Sequence, residues 1–358
     1  METSESSKRH FTAQLTNWHA TENIRSLPWK SERNPYKIWL SEVILQQTRA
    51  LQGLPYYLRF TEAYPTVQDM AAARDEDAFR LWQGLGYYNR CKNMLATARY
   101  ITNKLNGVFP DSYDGLLALK GIGPYTAAAI ASFAYGSPNA VVDGNVYRVL
   151  ARYFGIETPF DTTEGKKQFA VLAQELLEVK DSAAYNQAIM DLGATVCVPR
   201  NPLCTICPLQ KKCMALKGNI IDILPVRSKK PAVRKRYFNY LLLRWKDTVW
   251  IQKRTESDIW ENLHQPYLIE ADHLFEEGSL VVQDEFKKIK LKYTSVKYEG
   301  ALTQRLTHQL IASRFFTVSL AAKPDLKDKN GEWVGIEDLK KIAFPRTLVS
   351  FLENNLYF

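Results

Sequence analysis

From about residue 10 to 222, apolar side chains recur at the three-to-four spacing of amphipathic helices, with Gly, Pro and Asn punctuating the gaps. Asn34-Pro35 reads as an N-cap followed by a first-turn proline, opening a helix through about Thr48. The same spacing predicts helices over Ala71–Trp82, Lys92–Asn106, Tyr113–Leu119, Tyr125–Tyr135, Asn145–Phe154, Lys166–Glu178 and Ala183–Leu192. From about Tyr237 the period shortens to that of strands. YFNYLLLRW and TVWIQKR, joined by Lys246-Asp247, predict a hairpin, and TSVKYEGALTQRLTHQLIASRFFTVSL holds further strands. Ile336–Ile342 reads as a short helix.

A helical region of 1–222 and a strand-rich region of 237–358 together predict an α+β multidomain chain, in keeping with a length of 358 residues. Between them, residues 223–236 contain PVRSKKPAVRKR, whose six basic residues and two prolines read as an exposed linker, either a solvated tether or a contact for a nucleic-acid backbone. The formal charge of +9 suits a polyanionic partner, although basicity alone does not name one. The polar start METSESSKRH has no apolar signal core, and no run of about 18 apolar residues occurs. These features lead us to expect a soluble cytoplasmic chain, in a reducing compartment that favours cysteine as a ligand over cystine.

Residues 119–145, LKGIGPYTAAAIASFAYGSPNAVVDGN, carry the densest chemical signal. Gly121 and Gly123 flank Ile122 in a tight turn before a small-residue helix, where backbone N–H groups can meet a phosphate. Asp143 precedes Gly144, Asn145 and another helical run, so it reads as an N-cap held ionised by free N–H groups. Glu42 lies in PYKIWLSEVILQQT, a helix apolar on all sides, where burial favours the protonated acid; a structural pairing with a buried Arg or a backbone N–H is the alternative. A protonated acid with an ionised carboxylate is the pair that breaks glycosidic bonds, and a nucleoside's base is joined to its sugar by one.

Cys197, Cys204, Cys207 and Cys213 have the spacing C-x6-C-x2-C-x5-C, close enough to enclose one metal centre. A zinc ribbon ordinarily pairs two C-x-x-C knuckles and only one is present, while an iron–sulfur cluster tolerates wider spacing; cysteine chemistry alone leaves both open. Cys91 stands apart as a structural residue. In GLGYYNR, Tyr87 and Tyr88 follow two glycines, and an aromatic on such a turn can wedge between bases.

Taken together, LPWK (27–30), PYKIWLSEVILQQT (35–48), WQGLGYYNR (82–90), LKGIGPYTAAAI (119–130), VVDGNVYRVLAR (141–152), YNQAIMDLGATVC (185–197) and the cysteine spacing resemble the adenine DNA glycosylases. That family acts in A/G-mismatch repair and belongs to the helix-hairpin-helix superfamily that includes endonuclease III. The resemblance implies an all-α glycosylase domain with its helix-hairpin-helix at about 113–135 and an iron–sulfur loop at 197–213. It also implies a C-terminal α/β Nudix-like domain for recognising 8-oxoguanine. One [4Fe–4S] cluster on the four cysteines follows, with a cation at the hairpin that helps the Gly121-Ile122-Gly123 backbone hold a phosphate. The implied partner is double-stranded DNA with A opposite 8-oxoguanine or G, met by a bacterial-type monomer.

By the same resemblance Glu42 protonates adenine, Asp143 stabilises the sugar cation, and Tyr125 and Asn145 assist. Arg25, Trp29, Leu45 and Gln187 line the adenine pocket; Gln47 and Tyr87 lie near 8-oxoguanine. A Phe-Ser-His turn of the family corresponds here to Leu306-Thr307-His308, and Lys30 stands where Arg is common. A glycosylase/lyase of the endonuclease III branch needs a lysine where this chain has Tyr125, and a non-catalytic DNA-structure-binding protein has no need of the Glu42 and Asp143 pair.

Overall fold

The computed structural model describes residues 4–228, 233–326 and 330–355. The helices are α1 (Glu5–Thr21), α2 (Pro35–Leu45), α3 (Ala50–Ala63), α4 (Val67–Ala72), α5 (Asp75–Trp82), α6 (Asn89–Lys104), α7 (Tyr113–Leu117), α8 (Pro124–Tyr135), α9 (Gly144–Phe154), α10 (Thr163–Leu176), α11 (Ser182–Thr195) and α12 (Met214–Lys217). Strands β1 (Arg234–Trp245), β2 (Thr248–Lys253) and β3 (His264–Ala271) follow, then α13 (Asp284–Lys288), β4 (Tyr293–Arg305), β5 (Gln309–Leu320), β6 (Gly331–Gly335) and α14 (Arg346–Asn354).

The chain divides into two compact units, one of residues 1–72 with 93–229, the other of residues 73–92 with 230–358. A simple division after residue 222 therefore misplaces one segment. Residues 73–92 join the C-terminal unit through Glu76 with Lys253 (3.2 Å), Lys92 with Glu261 (2.6 Å), and hydrogen bonds of Gln83 and Tyr88 to the Phe344 backbone. No spacing rule foresees such long-range pairing.

In the first unit the Asn34 side chain accepts from the N–H groups of Tyr36 and Lys37, capping α2 as expected. The spacing singled out no helix at α1, α3 or the short α12. α1 starts earlier than the periodic region and buries only Phe11, Leu15 and Trp18. α3 contains Gly53 and Pro55, which read as breakers. Gly53 is there for close packing, since a Cβ would stand 2.8 Å from Leu45 Cδ2 on α2. The expected helix over Ala71–Trp82 is interrupted between α4 and α5. A core of α1, α9, α10 and α11 side chains, Phe11, Leu150, Phe169 and Leu192 among them, backs the region that carries Asp143.

The linker expectation needs correction. Residues 229–232 lie outside the described residues, but the flanks are docked. Leu224 is buried, Phe160 N–H donates to Val226 O (3.1 Å), and Arg227 pairs with Asp161 at 3.4 Å. Residues 234–236 already belong to β1, where buried Arg236 bonds Glu270 and Asp258. The acidic partners of these arginines are distant in sequence.

The second unit holds a six-stranded sheet in the order β4-β5-β1-β3-β2-β6, antiparallel except for the parallel β1–β5 pair. β1 is interior, which explains its continuous apolar run. Phe238, Tyr240 and Leu242 pack with α14 on one face; Leu241 and Leu243 pack with Phe275, Leu280 and Phe286 on the other. The predicted hairpin and the 3-10 turn at Ile336–Lys341 are present. β4 and β5 form a second hairpin whose tip is Leu306-Thr307-His308.

Candidate active site

α2 buries Tyr36 and every residue from Ile38 to Ile44, so its central turns have no solvent face; Lys37 alone in that stretch is partly exposed. Glu42 is consequently only 5% exposed. Burial pushes its carboxyl up to about 7, a nearby Asp143 pushes the same way, and a hydrogen bond donated by the Tyr125 hydroxyl opposes them. Tyr125 occupies the first turn of α8, and burial together with the two carboxyls keeps its phenol protonated.

Asp143 caps α9. Its Oδ1 accepts from Asn145 N–H and Val146 N–H, both at 2.8 Å, and its Oδ2 accepts from Asn145 Nδ2 at 2.6 Å. The cap was expected simply to hold the carboxylate ionised. Burial instead moves its pKa upward, against the pull of those donors and of Arg148. All three hydrogen bonds still serve a carboxylate, because each is donated to it.

Behind the cap lies a connection absent from the sequence reading. Buried Arg148 donates to Asn145 Oδ1 (2.9 Å), Gly193 O (2.6 Å) and Cys197 O (2.7 Å). One turn later, Arg152 donates to Val198 O (2.8 Å), Pro199 O (3.0 Å) and Cys197 Sγ (3.5 Å). The available signal was two arginines four apart among the apolar residues of a helix, since a buried guanidinium needs several acceptors.

Cys197, Cys204, Cys207 and Cys213 line one cavity with Val196, Leu203, Leu216 and Ile221. Burial, with the neighbouring sulfurs, pushes Cys207 up to about 12 and Cys204 and Cys213 upward, so a bound cation would be needed to draw out their thiolates. Among the described residues, no three His, Cys, Asp or Glu side chains are grouped as a single metal ion requires. Four thiols around one cavity suit a thiolate-bound metal centre, a zinc ion or an iron–sulfur cluster.

The adenine-pocket candidates fall in the same unit. Trp29 is buried edge-on to Tyr57, Leu45 is half-buried at the end of α2, and Gln187 is half-buried on α11. Arg25 pairs with Asp191 at 2.7 Å. At the hairpin, Gly121 has φ +77° and Gly123 caps α8. The Ile122 N–H donates to Leu119 O at 3.2 Å, so Ile122 does not offer the free donor that the sequence suggested. The Gly121 and Gly123 N–H groups have no partner among the described residues.

Gln47 and Tyr87 both have positive φ, 56° and 50°, a conformation uncommon outside glycine and asparagine and often found at functional sites. In the second unit the Tyr87 hydroxyl lies 2.8 Å from Thr307 Oγ1. Thr307 and His308 are exposed, whereas Leu306 turns towards the Phe238 and Phe315 core. Leu306 thus braces the tip that carries Thr307 and His308.

Residues 40–176 match the HhH-GPD superfamily of base excision DNA repair proteins. The adenine DNA glycosylase of Buchnera aphidicola from Schizaphis graminum is 30% identical over 96% of this chain and 98% of its own length. The chain belongs to the adenine DNA glycosylase family. The human adenine DNA glycosylase is 41% identical, over 57% of this chain and 39% of its own length. Among solved structures, a thermostable thymine-DNA glycosylase has a TM-score of 0.55 and 28% identity, over 60% of this chain and 98% of its own. A trapped endonuclease III–DNA covalent intermediate, at 22% identity and TM-score 0.54, shares the fold over 61% of this chain and 99% of its own. As a member of the adenine DNA glycosylase family, the chain is a base-excision repair hydrolase. No helix among its described residues is long and apolar enough to cross a membrane.

Proposed function

We propose that the protein removes adenine opposite 8-oxoguanine or guanine from double-stranded DNA by hydrolysing the N-glycosidic bond. The observation that carries this reading is buried Glu42, held near 7 and hydrogen-bonded by Tyr125, beside a capped Asp143. With adenine flipped out of the duplex, Glu42 donates its proton to N7. The C1′–N9 bond breaks and its electron pair leaves with the base. Asp143, oriented by Asn145, stabilises the oxocarbenium ion until water adds to C1′ and loses a proton. Arg25, Trp29, Leu45 and Gln187 form the base pocket.

Gln47, Tyr87, Thr307 and His308 meet the opposite strand, with Leu306 supporting the 8-oxoguanine-recognition tip of a Nudix-like domain. The free N–H groups of Gly121 and Gly123 hold a phosphate, assisted by a cation at the hairpin. Cys197, Cys204, Cys207 and Cys213 hold one [4Fe–4S] cluster, which when bound cross-links their loop. The enzyme works as a cytoplasmic monomer. Among the described residues, Glu42 and Asp143 have Tyr125, Asn145 and Val146 as hydrogen-bond partners and no amine, which supports base removal without lyase chemistry.

The test is a single-turnover assay on duplexes with A opposite 8-oxoguanine, with and without alkali. Adenine release with strand breakage only after alkali is expected. Breakage without alkali would favour a lyase, and no adenine release would remove the assignment.

A further inference from the structure

Asp191 is a buried carboxylate that the glycosidic mechanism leaves unused. It lies on α11, one turn after Gln187, and is 1% exposed. A carboxylate at this depth requires charged or hydrogen-bonding partners. Oδ1 accepts from Arg25 Nη1 at 2.7 Å. Oδ2 accepts from Asn23 Nδ2 at 2.7 Å and from Lys30 Nζ. Lys30 Nζ also donates to Arg25 O at 2.6 Å, so the segment folds around one acidic centre.

Residues 23–30 have no helix or strand to fix their side chains. The other Arg25 guanidinium N–H groups have no partner among the described residues and remain available to a ligand. α11 itself is fixed against the catalytic cap, because Gly193 packs on Asn145. Asp191 therefore ties Arg25 to the helix that abuts Asp143. It also supplies one negative charge against two positive ones. Without it, both cations would oppose protonation of the departing base.

We propose that Asp191 is a positioning residue for base excision, holding Arg25 in the adenine pocket beside Lys30 and offsetting their charge as the base accepts its proton. This rests on the function proposed above. Misplacing a pocket cation by about 1 Å can slow a reaction by about 100-fold, so Asp191→Asn is expected to lower single-turnover adenine release by about 10- to 100-fold. Affinity for a duplex carrying uncleavable 2′-fluoroadenosine opposite 8-oxoguanine should change by less than about threefold, because the phosphate contacts that dominate affinity are untouched.

In a cycle with Arg25→Gln, the double variant should be scarcely slower than Arg25→Gln alone. Wild-type rates for Asp191→Asn, or independent multiplication of the two losses, would overturn the proposal. If Asp191→Asn does not fold, the charge-balanced Asp191→Asn/Lys30→Met variant is measured in the same way. A wild-type rate there would also overturn it. Failure of the functional reading would instead appear as no adenine release by the unaltered protein.

Discussion

Gly193 on α11 approaches Asn145 so closely that a Cβ would stand 2.6 Å from Asn145 Cβ and 3.0 Å from its carbonyl oxygen. The glycine lets α11 reach the end of α9 that Asp143 caps. Gly193→Ala must push against backbone as well as side chain, so we expect a stability loss of about 1–3 kcal/mol. Adenine release should slow as Asn145 is displaced. Thermal unfolding and single-turnover kinetics would check this, and unchanged values in both would show that the cap tolerates the shift.

Glu42→Gln should abolish most adenine release, because the amide has no acidic proton to give. It should also stabilise the protein above neutral pH. The folded carboxyl, near 7, binds a proton that an unfolded carboxyl with a pKa of 4.5 has already lost. Wild-type stability therefore falls as pH rises from about 4.5 to 7, by on the order of 3 kcal/mol. Denaturation of both proteins at pH 4 and pH 8 would test the sign, since the gain from substitution should be larger at pH 8.

Tyr125→Phe removes the hydrogen bond that holds Glu42 down against burial. The Glu42 carboxyl should then stay protonated to higher pH. The decline of excision rate with rising pH is expected to move upward by on the order of one unit. A pH–rate profile under single-turnover conditions reads this directly, and a downward displacement would contradict the assigned role of Tyr125.

The cysteine loop makes a spectroscopic prediction. Purified protein should be brown, with broad visible absorbance and about four irons per chain. Cys207→Ser should lose that absorbance and unfold at a lower temperature, because the loop would lose its cross-link. A colourless wild-type protein holding one zinc would overturn the cluster assignment while leaving the glycosylase assignment in place.

Much of the site was legible because its chemistry is local. Asn34-Pro35 announced the start of α2, the apolar circumference of that helix announced a buried Glu42, and Asp143 preceded its helix in the manner of a cap. α3 was hidden because Gly53 and Pro55 read as breakers, whereas Gly53 serves the approach to Leu45. Ile122 looked like a phosphate donor until its N–H was found on Leu119 O.

The amino-acid sequence by itself determined the helical and strand-rich regions, the four-cysteine loop and the two carboxyl residues, Glu42 and Asp143, on which the proposed mechanism rests. Periodicity, capping and ligand spacing act over a few residues, so a linear reading reaches them. Only the tertiary structure decided that Tyr125 donates to Glu42, that Arg148 joins Asn145 to Cys197, and that Asp191 gathers Arg25 and Lys30. Those relationships depend on desolvation and hydrogen bonding between segments far apart in the chain, which become defined when packing brings them together.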